Sequence, residues 1–307
     1  MKALIISGGG SKGAFAGGIA EYLIKDCCKN YDLFVGCSTG SLLLPHLALG
    51  KIDKIKNIYT TVTQEAVFNI NPFLIKKTKK GFQTNINHFN TIRAFIKGCP
   101  TFGESNNLRK LIKNSITETE FNSIRDNQKK VILTVSNLTL DTIEYYNSSD
   151  SCYEDFCDWA WASANFIPFM SVLNKNGYQY ADGGFGNFIP ILTALDNGAT
   201  EIDVIILESE SKDKKHPIYN NPFALLFRTF KFMNNQSSSK DIVIGRLMGM
   251  NKEVIINFYY TPRNLTDNPL IFDSEQMKVW WIEGYEFAKS KNPVSFCNIP
   301  NRKYYEN

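Results

Sequence analysis

The chain has 307 residues, 43% of them hydrophobic and 21% charged, with a formal net charge of +4. That balance excludes disorder, collagen-like repeats and a disulfide mini-scaffold; the charge is too mild for a nucleic-acid footprint, although it suits an anionic membrane surface. Seven cysteines, with Cys27 and Cys28 adjacent, point to a reducing, cytoplasmic setting, and three scattered histidines (His46, His88, His216) without any C-x-x-C pair give no reason to expect a metal.

Only a short apolar run precedes Ser7, too little for a secretory signal, so folding is expected to begin at residue 3. Ala3-Leu4-Ile5-Ile6 is a continuous apolar run ending in glycines, which predicts a central parallel strand feeding a tight loop. Phe15, Ile19, Tyr22 and Leu23 recur at helical spacing, so a helix is predicted to about Lys25. A second strand is expected over Asp32 to Cys37 and a second helix over Ser41 to Leu49. The whole stretch from Leu33 to Gly50 lacks charge, but its glycines and Pro45 argue for a buried strand and helix rather than a membrane span. Two strand-helix units in fifty residues predict a mostly parallel α/β sheet.

Residues 51–127 read as a helical, basic flank or cap, with Lys76-Lys77-Thr78-Lys79-Lys80 as its densest charge run. Strands are expected over Lys130 to Thr139 and Asp141 to Asn147, then a helix over Tyr153 to Ser163. Lys175-Asn176-Gly177 lies between two short apolar runs, a hairpin signal that delivers the chain to Asp182. A helix over Ile189 to Leu195 and a buried strand over Ile202 to Leu207 follow. Beyond that come a charged loop at Ser209 to Lys215, an aromatic helix over Pro222 to Met233, a strand over Val254 to Tyr260 and a closing helix over Ser274 to Ser290. This divides the chain into a catalytic core at 1–207 and a C-terminal segment at 208–307 packed on the same domain.

Three segments carry chemistry. Gly36-Cys37-Ser38-Thr39-Gly40 is a G-x-S-x-G sequence between a predicted strand and a predicted helix. A sharp turn there needs glycines on either side and holds Ser38 out at the sheet edge, with the helix N-terminus favouring negative charge at its oxygen. The bland reading is a Gly/Ser turn. Gly8-Gly9-Gly10-Ser11-Lys12-Gly13 is a glycine-rich loop, again between strand and helix. A dinucleotide fingerprint would need an acid ending the second strand, where Asp32 instead begins it; a phosphate-binding loop would place Lys12 after the last glycine. The remaining reading is an oxyanion hole built from backbone N–H groups. The third segment, Asp182-Gly183-Gly184, is on its own a common turn, but a serine nucleophile needs a base and the histidines are poorly placed to serve.

Together and in this order, the three segments resemble the patatin-like phospholipase family, over about residues 3 to 207. The Ala162-Ser163-Ala164 run before Pro168, and Asn187-Phe188-Ile189-Pro190 before Gly198-Ala199, are similar to its surrounding sequence. The resemblance implies a three-layer α/β/α fold with a mostly parallel sheet, a Ser38–Asp182 dyad that uses no histidine, and an oxyanion hole at Gly9 and Gly10. It implies a phospholipase A type hydrolase acting on a lipid or phospholipid acyl ester, without a cofactor or nucleic acid. Peripheral membrane contact is a separate reading, from Lys76 to Lys80 and the aromatic helix, against a solvated face and core. Lys12 stands where many relatives carry arginine, which leaves it either steering anionic headgroups or neutralising the loop. Phe223, Leu226, Phe227 and Phe230 are either an interfacial patch or core. Two rival readings compete: an α/β-hydrolase esterase using Ser38, an acid and His216, and a non-catalytic nucleotide- or lipid-binding module using the glycine loop.

Overall fold

The computed structural model describes residues 1–78, 81–210, 218, 221–290 and 294–296. The first strand, β1 (Lys2–Ile6), is buried after its first residue, as a strand covered on both faces must be. A 3-10 turn at Gly10–Lys12 leads into α1 (Gly13–Glu21), which continues as one π turn over Tyr22–Asp26. Next come β2 (Leu33–Cys37), α2 (Thr39–Ala48), α3 (Ile52–Thr61), α4 (Gln64–Val67), the hairpin β3 (Phe73–Thr78) and β4 (Gly81–Ile86), and α5 (His88–Ile96). Helices α6 (Asn106–Ser115) and α7 (Glu118–Asp126) follow, the latter opened by a capping box between Thr117 and Glu120. The chain then forms β5 (Lys130–Asn137), β6 (Thr142–Asn147), α8 (Tyr153–Ser163), β7 (Leu173–Lys175), β8 (Tyr178–Asp182), α9 (Ile191–Asp196) and β9 (Glu201–Ser209). It closes with α10 (Pro222–Asn251), β10 (Ile255–Thr261), α11 (Ser274–Ser290) and β11 (Val294–Phe296).

The main sheet runs β11-β10-β9-β1-β2-β5-β8-β7, with β6 also on β5. Strands β10, β9, β1, β2 and β5 are mutually parallel, and β6, β8 and β11 pair antiparallel to their neighbours. Alternation along the central strands feeds two separate cores. Leu4, Ile6 and Phe34 join Phe15, Leu44 and Trp281 on one face, where α1, α2, α8 and α11 lie. Ala3, Ile5, Leu33 and Val35 join Ile191 and Leu195 of α9 on the other. This is the expected α/β/α layering with a mostly parallel sheet.

The strand β5 fixes where Ser38 and Asp182 stand relative to each other. It pairs with β2 over Lys130–Thr134 and with β8 over Val135–Asn137, while β6 pairs with it from Ile132 to Asn137. A residue has only two edges to offer, so β2 and β8 must share one edge of β5. They run in opposite directions and meet there end to end: Cys37 lies opposite Thr134, and Asp182 opposite Val135. Two strands far apart in sequence thus finish at adjacent rungs of a third.

Several expectations are corrected. The flank at 51–127 is not all helix, because Phe73–Thr78 and Gly81–Ile86 pair antiparallel as β3 and β4; the exposed Lys76 and Lys77 masked the strand alternation. Lys79 and Lys80 of that charge run lie outside the described residues, as do residues 211–215 of the charged loop. The aromatic helix extends through Ser237-Ser238-Ser239 to Asn251, because Ser238 and Gly245 sit on its buried face where small residues allow close packing. Helix α2 starts at Thr39, directly behind Ser38, two residues earlier than expected. In the C-terminal part, β10 lies parallel beside β9 and α11 packs along α1, where Trp281 Nε1–H donates to Glu21 Oε2 at 2.6 Å.

Candidate active site

The turn from β2 into α2 presents Ser38 with φ 52° and ψ −118°, in the positive-φ region that costs a non-glycine residue about 1–3 kcal/mol. The neighbourhood forces that turn. A Cβ on Gly40 would run into the carbonyl oxygen of Ile6, so only glycine lets α2 start this close to β1. Ser38 is 8% exposed and Asp182 4%. Ser38 Oγ–H donates to Asp182 Oδ2 at 2.6 Å, and the other carboxylate oxygen accepts the Gly184 N–H at 2.8 Å.

Each partner is held from behind. The Asp182 N–H donates to the Asn165 carbonyl at 3.0 Å, and Ser136 Oγ–H donates to the Asp182 carbonyl at 2.7 Å. The Ser38 N–H donates to Ser163 Oγ at 3.0 Å, while Ser163 Oγ–H donates to the Thr134 carbonyl at 2.6 Å. Ser41 Oγ lies 2.8 Å from Ser163 Oγ and donates to the Gly36 carbonyl at 3.0 Å. Ser163 therefore ties α8 to β2 and β5 at the point where the Ser38 turn begins. Sequence reasoning noticed it only as part of a small-residue run and gave it no role.

Electrostatics follow from burial. Desolvation pushes the Asp182 carboxyl up to about 6, against the opposite pull of hydrogen bonds from Ser38, Gly184 and Cys37. The same burial, with Asp182 nearby, pushes the Cys37 thiol well above its ordinary range. Cys37 Sγ lies 3.9 Å from Asp182 Oδ1.

The glycine loop closes the site from β1. Gly8 N–H donates to the Phe188 carbonyl at 3.3 Å, Ser11 N–H to the Pro269 carbonyl at 2.8 Å, and Gly13 opens α1. Gly10 has φ 55°, and a Cβ there would meet the Pro269 carbonyl. Gly9 and Gly10 line the same cavity as Ser38 and Asp182. The buried Lys12 Nζ donates to the Leu207 carbonyl, and desolvation lowers its pKa. It anchors the loop to the end of β9 and lines the same cavity as Ser38. Gly36 lies in β2, and Gly183 and Gly184 lie in a 3-10 turn after β8. Asp32 accepts the Lys2 N–H at 2.9 Å at the start of β1, far from where a ribose would sit.

From Ser38 an apolar cavity runs along α2 between α3, α6 and α8, lined by Leu42, Ile55, Ile58, Val62, Leu108 and Ile112. His46 lies two turns down α2, roughly 12 Å along the helix from Ser38. Its Nε2 is 3.2 Å from Ser115 Oγ, and burial drives its pKa down to about 4. His88 is exposed at the start of α5, and His216 lies outside the described residues. Phe227 and Phe230 of α10 line the cavity, and all four, with Phe223 and Leu226, are partly buried against the core. Among the described residues no cluster of His, Cys, Asp and Glu suits a metal ion, and no helix is long and apolar enough to cross a membrane.

The family model described as Patatin-like phospholipase matches residues 4–195. None of the curated proteins matches the chain. VipD from Legionella pneumophila shares the fold at a TM-score of 0.51 and 15% identity, with 96% of this chain and 68% of VipD covered. ExoU from Pseudomonas aeruginosa, solved in complex with SpcU of the type III secretion system, aligns at 13% identity and a TM-score of 0.38. That alignment covers 96% of this chain and 54% of ExoU.

Proposed function

The chain belongs to the patatin-like phospholipase family, and from that premise we propose that it hydrolyses lipid acyl esters, phospholipids included, through a Ser38–Asp182 dyad. The observation that carries this reading is the 2.6 Å hydrogen bond from Ser38 Oγ to a buried Asp182 carboxylate at one end of an apolar cavity. The acyl chain lies along α2 in that cavity, which brings the ester carbonyl to Ser38. Ser38 Oγ attacks the carbonyl carbon as its proton passes to Asp182 Oδ2. A carboxylate raised to about 6 remains ionised at neutral pH, yet it is a stronger base than an ordinary aspartate. The oxyanion is held by N–H groups of the Gly9–Gly10 loop and by the N-terminal end of α2. The alcohol leaves with the proton from Asp182, and water then hydrolyses the acyl-serine with the same residue as base. His46 is neutral, engaged by Ser115 and two helical turns away, so it takes no part in proton transfer.

A fluorophosphonate probe, with a panel of lipid esters, tests the reading. Labelling confined to Ser38 and release of free fatty acid, both lost in Ser38→Ala, support it. Full hydrolysis by Ser38→Ala sinks it.

A further inference from the structure

Between Glu65 and Glu104 the chain has no aspartate or glutamate but carries five lysines and an arginine. The helix in that stretch is turned inside out. α5 buries Thr91 and Ala94, while Phe89, Ile92, Phe95 and Ile96 are 77%, 57%, 51% and 82% exposed. A helix whose only task is to cover a core turns its large apolar residues inward. Leu74 on β3 adds to the exposed apolar surface, and Lys76, Lys77, Arg93 and Lys97 are exposed around it, Lys77 in an ion pair with Glu275 at 3.4 Å.

The patch is joined to the wall of the cavity through packed aromatic side chains. Phe95 contacts Phe102, which contacts Phe169, which stacks on the cavity-lining Phe227 at 4.5 Å. Phe73, at the base of the hairpin, contacts both Phe169 and Phe227. On β4, Thr84 Oγ1 accepts a hydrogen bond from Asn268 Nδ2 at 3.3 Å, next to the cavity-lining Pro269.

We propose that the β3–β4–α5 segment is the surface by which this protein docks on an anionic lipid bilayer, holding the membrane beside the cavity wall that Phe227 forms. Bulky apolar side chains ringed by cations, with no carboxylate in the stretch, complement acyl chains beneath anionic headgroups. The inference rests on the lipid-hydrolase reading for its purpose but not for its test, because binding is measured without turnover.

The full-length Ser38→Ala protein is floated with vesicles of phosphatidylcholine, alone or mixed with phosphatidylserine. It should bind the mixed vesicles preferentially, with binding weakened by salt. Serine at Phe89, Ile92, Phe95 and Ile96 together should weaken that binding by about tenfold or more. These side chains are exposed, so the unfolding temperature should stay near that of the parent. In the chain with Ser38 intact, the same four changes should abolish vesicle hydrolysis while a soluble short-chain ester is still turned over. Undiminished binding by the four-serine variant, or indifference to phosphatidylserine and salt, overturns the proposal. So does light scattering that shows a dimer broken by the four changes, which would assign the patch to a second copy of the chain. Vesicle binding without any ester hydrolysis would instead refute the hydrolase reading and leave the docking surface standing.

Discussion

Replacing Asp182 with asparagine should make the protein more stable as it makes it inactive. The carboxyl is 4% exposed and raised from 3.8 to about 6, so holding it ionised in the native state costs about 3 kcal/mol relative to water. A raised folded-state value means that the acid contributes its stability below pH about 4. That contribution is lost as pH rises, and it is gone once the folded group has ionised above about 6. Asparagine has nearly the same shape, can accept the Gly184 N–H and can donate to Ser38 Oγ, and it carries no charge at any pH. Urea unfolding of both proteins between pH 4 and 8 should therefore show a gap that is small at the acid end and grows to about 3 kcal/mol in favour of Asp182→Asn by pH 7. Hydrolysis of a soluble ester should fall by roughly 10²–10⁴ in the same variant. A gap independent of pH, or an asparagine variant less stable than wild type at pH 8, would refute the argument that burial dominates this carboxyl.

The wild-type rate on a soluble ester should rise with pH through about 6 and then level, because the base acts in its ionised form; a residual rate in Asp182→Asn should lack that inflection. Ser163→Ala removes the acceptor of the Ser38 N–H and the donor to the Thr134 carbonyl. It should cost about 1–3 kcal/mol in urea unfolding and lower kcat with little change in KM. Gly10→Ala places a Cβ against the Pro269 carbonyl at positive φ, so stability and turnover should fall together, measured by unfolding and ester hydrolysis; packing alone already requires glycine there. N-ethylmaleimide at pH 8 should leave Cys37 unmodified in the native protein, by mass spectrometry of peptides, because the thiol is buried and held protonated.

The elements that bury a continuous or regularly spaced apolar face were legible in the sequence: β1, the helix over Tyr153–Ser163 and the helix over Ser274–Ser290 stand where periodicity placed them. Ser38 was legible because strand, glycines and helix surround it within one short segment. Its meeting with Asp182, 144 residues away, was not contained in any local pattern and came only from the family resemblance. Ser163 escaped notice because its role exists only where α8, β2 and β5 converge. The β3–β4 hairpin was hidden by lysines that interrupt its alternation, and the length of α10 by serines whose weak helical preference is overridden by packing on α9.

That Ser38 and Asp182 are both gauged from β5 has a consequence for how the fold tolerates change. Loops between β2 and β8 can lengthen freely, since neither residue measures its position along the connecting chain. A single residue inserted inside β8, by contrast, would advance Asp182 by about 3.4 Å along the ladder and turn its side chain to the opposite face of the sheet. Changes of length are therefore tolerated in the loops between the strands and barred within them, so Ser38 and Asp182 can be kept in register while the loops around them are rebuilt.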